Sequence, residues 1–154
     1  MKNTISFNTK FGWISATEEG SKITKILFAK TKNEGFPSKN LRRVKKKYIS
    51  YFNSKNEKMG FPIKLTGNCN QKKIWAEIKK IKKGKVKSYG QIAKKLKFSP
   101  RYVGRVCGEN KHVIVVPCHR VIRSDGSLGG FSAKRGIRLK ISLLKLENSN
   151  FYEK

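Results

Sequence analysis

The hydrophobic pattern changes period near the middle of the chain. Before residue 35 the period is two. Ile5 and Phe7 alternate with Ser6 and Asn8, and Thr24, Ile26 and Phe28 share one face of a second strand, with TEEGSK at 17–22 as the turn before it. Pro37 and Ser38 then open an amphipathic helix in which Leu41, Val44, Tyr48, Ile49 and Phe52 recur at helical spacing. Its LRRVKKK run reads as a solvated helix face or as a phosphate contact. Residues 53–68, NSKNEKMGFPIKLTGN, read as loop and linker, which puts a boundary near Gly67.

From Gln71 the pattern is helical. Ile74, Trp75, Ile78 and Ile81 make one apolar stripe, with Gly84 as the stop. Lys85 to Lys87 is short and extended. Ser88-Tyr89-Gly90-Gln91 has the form of a capping box, and Ile92, Ala93 and Leu96 continue that helix on its buried side. Ser99-Pro100 restarts a helix at once, Ser as cap and Pro in the first helical position. There Val103, Val106 and Cys107 face inward, while Arg101, Gly104, Arg105 and Gly108 share the outer face. Two short helices joined by a tight turn, the second presenting arginines beside glycines, have the form of a helix-turn-helix. Many helical hairpins of this kind bind no DNA.

Charge sharpens the picture only partly. The 154 residues include 37 Lys and Arg against 9 Asp and Glu, a net charge of +28 that favours a polyanionic partner. Both halves are basic, so charge does not locate a binding face, and a general habit of using Lys accounts for it equally well. MKNTISFNTKFGW lacks the apolar run of a signal peptide, and no later segment is long and apolar enough to span a bilayer, so a cytoplasmic protein without membrane contact is expected. Three cysteines, an odd number, argue against a disulfide framework. With no CxxC pair and two His, no metal site is expected.

Each thiol is therefore core filler or chemistry. A polar turn from Glu109 to His112 leads into Val113-Ile114-Val115-Val116, which ends abruptly in Pro117-Cys118-His119-Arg120. A cysteine at the end of an apolar run is ordinarily a buried, inert thiol, and that reading is kept for Cys69 and Cys107. A core strand would continue with apolar residues. At Cys118 an imidazole and a guanidinium follow instead, and such neighbours favour the nucleophilic thiolate.

These residues resemble the O6-alkylguanine-DNA alkyltransferases, the methylated-DNA–protein-cysteine methyltransferases. The likeness is strong from Gln71 to Glu147. It runs through QKKIW at 71–75, SYGQIA at 88–93, SPRYVG at 99–104, Asn110, IVVPCHRVI at 114–122, GSLGGFS at 126–132 and LLKLE at 143–147. FGWISATEEG and the helix ending in YISYF match more loosely. The resemblance implies an α+β fold: a ribonuclease-H-like α/β subdomain over 1–67 and a helical subdomain over 68–154, which carries a winged helix-turn-helix and the active site.

It also implies roles. Cys118 is the alkyl acceptor, and His119 is a base acting through a water and oriented by Glu147. Asn110 ties the helix pair to the active-site loop. Arg101 fills the stack after the lesion flips out. Tyr89 crowds the phosphate and donates a proton toward the guanine ring. Tyr102, Gly104, Arg105 and Arg120 lie toward DNA, and backbone at Cys118, Val121 and Ser132 reads the base edge. Phe131 stands where the family often has Tyr, and Val113 where some members have Pro, so both belong to the pocket for the alkyl group. The implied reaction is one transfer per molecule from O6-alkylguanine, or O4-alkylthymine, in double-stranded DNA to a monomeric protein without a cofactor.

Other readings fit less of the chain. A lesion-sensing binder of the alkyltransferase-like kind lacks the acceptor cysteine that is present here. A helix-turn-helix regulator leaves Pro117-Cys118-His119-Arg120 without purpose, and the dyads of cysteine hydrolases usually unite residues distant in sequence.

Overall fold

A computed structural model gives the structure of the chain and describes residues 1–55, 58–129 and 136–151. These fall into two compact units, Met1–Thr66 and Gly67–Lys154. Helix and strand are mixed, and among the described residues no helix is long and apolar enough to cross a membrane.

The first unit is an antiparallel sheet of β1 (Lys2–Thr9), β2 (Gly12–Glu19) and β3 (Lys22–Leu27), in that order, with helix α1 (Lys39–Phe52) against it. The expected second strand is thus the third, and the central one spans Gly12–Glu19. Thr17 to Glu19 belong to β2, so the turn shrinks to Gly20 and Ser21, both at positive φ. The face assigned to Thr24, Ile26 and Phe28 is also corrected. Lys25 pairs with Thr17 but Ile23 with Glu18, so Thr24 is an extra residue at a bulge. Alternation breaks there, Ile23 and Ile26 are the buried pair, and Phe28 lies beyond the strand.

Helix α1 starts where expected, with the Ser38 hydroxyl accepting the Leu41 N–H. It buries Leu41, Val44, Tyr48, Tyr51 and Phe52, so Tyr51 takes the place expected for Ile49.

The second unit opens with α2 (Cys69–Lys79), which starts two residues before Gln71 because Asn68 and Gln71 cap each other reciprocally. It also ends early. Ile81 is buried beyond its last turn, and Gly84, at φ +83°, stands in the following loop. The Trp75 indole N–H donates to the Val106 carbonyl and pins this helix to α4.

Two residues of β4 (Lys87–Ser88) pair in parallel with β5 (Val121–Ile122). Between them come α3 (Tyr89–Leu96), with the Ser88/Gln91 capping box, and α4 (Pro100–Gly108), capped by Ser99. A left-handed Lys97 makes the tight turn joining these two helices. Helix α5 (Gly136–Glu147) closes the unit, with Leu139, Lys140, Leu143 and Leu144 buried.

Candidate active site

The segment that presents Cys118 is built from turns. Asn110 holds its start: its side-chain amide donates to the Val116 carbonyl at 2.8 Å and its oxygen accepts the His112 N–H at 2.8 Å. His112 is buried, so the polar turn expected over Glu109 to His112 ends at Lys111. The apolar run is a turn and not a strand. The Val115 N–H reaches back to the Val113 carbonyl across Ile114, whose φ is +72°. A β-branched residue in that region is strained, and a two-residue turn of this hand is rare. A second such turn, of the relaxed hand, follows at Pro117 (φ −81°, ψ 65°), where the Cys118 N–H donates to the Val116 carbonyl at 2.8 Å. Together they deliver Cys118 to the start of a short 3-10 turn, Cys118–Arg120.

Cys118 lines a cleft of about 800 Å³ with Tyr89, Arg101, Gly104, Cys107 and Arg123. The residues come from separate elements: Tyr89 opens α3, while Arg101, Gly104 and Cys107 lie on successive turns of α4. Arg101, Gly104 and Cys107 fall on one side of α4 because they are three residues apart.

Behind the thiol, His119 Nε2 lies 2.9 Å from Glu147 Oε2, both side chains almost fully buried. Burial works to raise the Glu147 carboxyl, but His119 and Arg120 overcome it and hold the group well below the usual range. The nitrogen facing a carboxylate must carry the proton, which leaves Nδ1 as the basic nitrogen. Burial holds the His119 ring below its ordinary pKa against the pull of Glu147, which favours the neutral ring that a base requires.

Arg120 does not behave as expected of a DNA contact or of a thiolate partner. Its guanidinium turns inward, with two bonds to Glu147 at 2.9 and 2.7 Å and one to the Ile81 carbonyl at 2.7 Å. A planar fork satisfied on three nitrogens has little left for phosphate.

Three groups carry weight that the sequence did not disclose. Lys140 is fully buried and donates to the Val121 carbonyl at 2.7 Å and to the Tyr89 hydroxyl at 3.3 Å. Burial brings its ammonium down to about 8, although the two thiols nearby favour the charge. Cys107 shares the cleft with Cys118. Interaction with Cys107 and burial push the Cys118 thiol up, while Lys140 and Asn110 pull it down. Arg123 is the third, at the cleft wall.

The remaining expected residues are placed as follows. Tyr89 lines the cleft, its hydroxyl pushed up by burial. Tyr102 packs on Phe98 at 5.3 Å, with the Arg105 guanidinium over its ring at 5.0 Å, and is not among the described residues lining the cleft. Val113 and Val121 are buried, and neither is among the described residues lining the cleft. The Val121 carbonyl accepts from Lys140 and the Cys118 carbonyl from the Val121 N–H, so each has one lone pair already engaged. Phe131 and Ser132 lie outside the described residues.

The chain is similar to known proteins over most of its length. Residues 70–149 match the DNA-binding domain of 6-O-methylguanine DNA methyltransferase. A methylated-DNA–protein-cysteine methyltransferase of Metallosphaera sedula is 36% identical over 146 residues, covering 94% of this chain and 92% of that protein. Its counterpart in Sulfolobus acidocaldarius is 42% identical over 104 residues, covering 68% of this chain and 65% of that protein. The crystal structure of Mycobacterium tuberculosis O6-methylguanine methyltransferase is similar over 100% of this chain and 97% of its own, at TM-score 0.85 and 26% identity. A Mycobacterium tuberculosis structure in complex with DNA is similar at TM-score 0.82 and 27% identity, over 95% of this chain and 93% of its own. On these matches the chain belongs to the 6-O-methylguanine DNA methyltransferase family.

Proposed function

We infer that this protein repairs DNA by moving a methyl or other alkyl group from guanine O6, or thymine O4, to the Cys118 sulfur, once per molecule. The observation that carries the reading is Cys118 lining a cleft next to a buried His119–Glu147 pair, with Arg101 on the same cleft.

The steps follow from the groups in place. His119 Nδ1 takes the Cys118 proton through a water, with Glu147 fixing the ring from the other side. The thiolate attacks the alkyl carbon; a sulfur–carbon bond forms and the carbon–oxygen bond breaks, its electron pair leaving on guanine. Tyr89 supplies the proton the leaving base needs. Because Lys140 donates to the Tyr89 oxygen, the hydroxyl hydrogen is free to point into the cleft. The product thioether is a poor leaving group, so the acceptor is not regenerated and no cofactor is required.

An alkyl group on O6 is out of reach inside a duplex, and extruding the nucleotide costs about a few kcal/mol. Arg101 fills the vacated stack and offsets that cost, as inserted side chains do in other minor-groove complexes. In this reading α3 and α4 form the helix-turn-helix of a winged module. Tyr102, Gly104 and Arg105 lie toward double-stranded DNA; the resemblance assigns Phe131 and Ser132 to the base pocket, and Val113 and Val121 back it from buried positions that are not part of the cleft lining. Residues 68–154 are the DNA-binding and transfer subdomain, and 1–67 a ribonuclease-H-like subdomain. The protein acts as a monomer in the cytoplasm.

Intact-mass measurement after incubation with a duplex containing O6-methylguanine tests the assignment. One methyl per protein is expected, mapped to Cys118 and absent in Cys118→Ser. Repeated turnover, or methyl on Cys69 or Cys107, overturns it.

A further inference from the structure

Cys107 has no part in the reaction just described, yet it lines the acceptor's cleft, and among the groups around the Cys118 thiol it is the one that acts on it most strongly. The two sulfurs come from rigidly held elements: Cys107 from α4, between the buried Val103 and Val106 on one side and the Asn110 anchor on the other, and Cys118 from the double turn. The third cysteine, Cys69, is exposed in the first turn of α2. All three are free thiols.

We propose that Cys107 and Cys118 form a redox-active dithiol, in which Cys107 captures an oxidised Cys118 as an intramolecular disulfide. The oxidant class is a small peroxide, which the cleft of about 800 Å³ admits readily. The Cys118 thiolate attacks one peroxide oxygen, the O–O bond breaks, and hydroxide leaves, giving a sulfenic acid. The Cys107 sulfur gives its proton to that hydroxide and attacks the Cys118 sulfur, and a second hydroxide leaves as water after taking the remaining proton. In sum, two thiols lose two hydrogens and hydrogen peroxide becomes two waters. A dithiol reductant reverses the bond by thiol–disulfide exchange.

The consequence is specific to a protein that uses its acceptor once. Without a resolving thiol, the sulfenic acid proceeds to sulfinic acid, which is not recovered by thiols, and the molecule is lost before meeting a lesion. With Cys107 in place, oxidation parks the acceptor in a form that cannot take an alkyl group but can be restored. Closing the pair requires the two sulfurs to reach a bond of about 2.05 Å, and Cys118 stands at the end of the segment of turns that begins at Ile114.

Hydrogen peroxide treatment, blocking of free thiols with iodoacetamide and peptide mapping without reductant test this directly. The expected product is a peptide pair linked through Cys107 and Cys118, lighter by two hydrogens, with Cys69 carrying the block. Alkyl-transfer capacity is expected to vanish in parallel and to return with dithiothreitol. In Cys107→Ala and Cys107→Ser, measured against each variant's own untreated capacity, Cys118 is expected to reach sulfinic acid and the loss to be permanent. Sulfinic acid at Cys118 of the wild type without a cross-link, a cross-link through Cys69, or equal recovery in the variants overturns the proposal. The cross-link is read by mass, so its outcome stands apart from whether Cys118 accepts alkyl groups.

Discussion

His119 and Glu147 meet at 2.9 Å, ring nitrogen to carboxylate oxygen, with each side chain 1% exposed. The carboxylate also takes two of the three Arg120 bonds, so one acidic group faces two potential cations in the interior. Removing it leaves the partly buried Arg120 with the Ile81 carbonyl but no counter-charge, and breaking a fully buried pair costs about 3–5 kcal/mol, an upper bound for this one. Glu147→Gln is expected to unfold at lower urea and to transfer methyl slowly, because the His119 ring loses the group that fixes its tautomer. The pH dependence has a definite sign. The folded carboxyl lies below its unfolded value near 4.5, so its contribution is complete above that pH and fades as pH falls beneath it. Urea titrations from pH 3 to 7 should show the wild-type advantage over the Gln variant shrinking toward acid. An advantage that stays constant over that range is inconsistent with this role.

Lys140 gives the opposite limb. Its folded pKa of about 8 lies below the ordinary 10.5, so between those values the folded protein holds fewer protons than the unfolded chain and stability rises with pH. Activity should run the other way. Above about pH 8 the ammonium that supports the Cys118 thiolate and holds the Tyr89 oxygen is lost, so single-turnover rates are expected to decline there after rising as the thiol ionises. Lys140→Met should be slow throughout and lack the alkaline decline. Superimposable pH profiles for the two proteins would remove Lys140 from the mechanism.

How much of this was legible in the chain depends on whether the signal is local. The caps at Ser38, Ser88 and Ser99 are read from neighbours three residues apart, and each stands where the pattern puts it. The bulge at Thr24 escaped because one inserted residue inverts the alternation beyond it without leaving any unusual residue type. Lys140 escaped because it is one of 37 basic residues, and only its place in the stripe with Leu143 and Leu144 sets it apart. Arg120 misled for the same reason in reverse. Adjacency to Cys118 suggested a partner for the thiol, while the fold supplied Glu147, 27 residues on. Cys107 was correctly placed on the inward face, but that face turned out to be shared with Cys118.

Gly129 is a steric requirement. A methyl group there would sit 2.5 Å from the Tyr89 hydroxyl and 2.6 Å from the ring, which cannot bend away as a flexible chain could. Gly129→Ala is expected to displace Tyr89 and to slow reaction with both damaged duplex and free O6-benzylguanine, by about 100-fold if the shift approaches 1 Å. Gly104→Ala is the control. Its added carbon lies 3.9 Å from the same ring, an ordinary contact, so reaction with the free base should persist. Equal behaviour of the two variants toward O6-benzylguanine would mean that Tyr89 does not set the pocket.

Arg101 separates extrusion of the lesion from the chemistry that follows. It is exposed in the first turn of α4, on the same cleft as Cys118 but with no described bond to the catalytic pair. If its side chain fills the stack, it matters only when there is a stack to fill. Arg101→Ala should therefore lower the rate on duplex O6-methylguanine by about 10-fold or more, the equivalent of about 1.4 kcal/mol of lost transition-state support. Reaction with free O6-benzylguanine should change little, since that base arrives already outside a helix. A lysine at this position keeps the charge but not the planar group that stacks between bases. Arg101→Lys should accordingly restore the salt-dependent part of DNA binding while recovering only part of the duplex rate. Comparing single-turnover rates for the three proteins on the two substrates separates these terms. Equal losses on duplex and free base would place the effect of Arg101 in the fold of α4, and full recovery by Lys would reduce its role to charge.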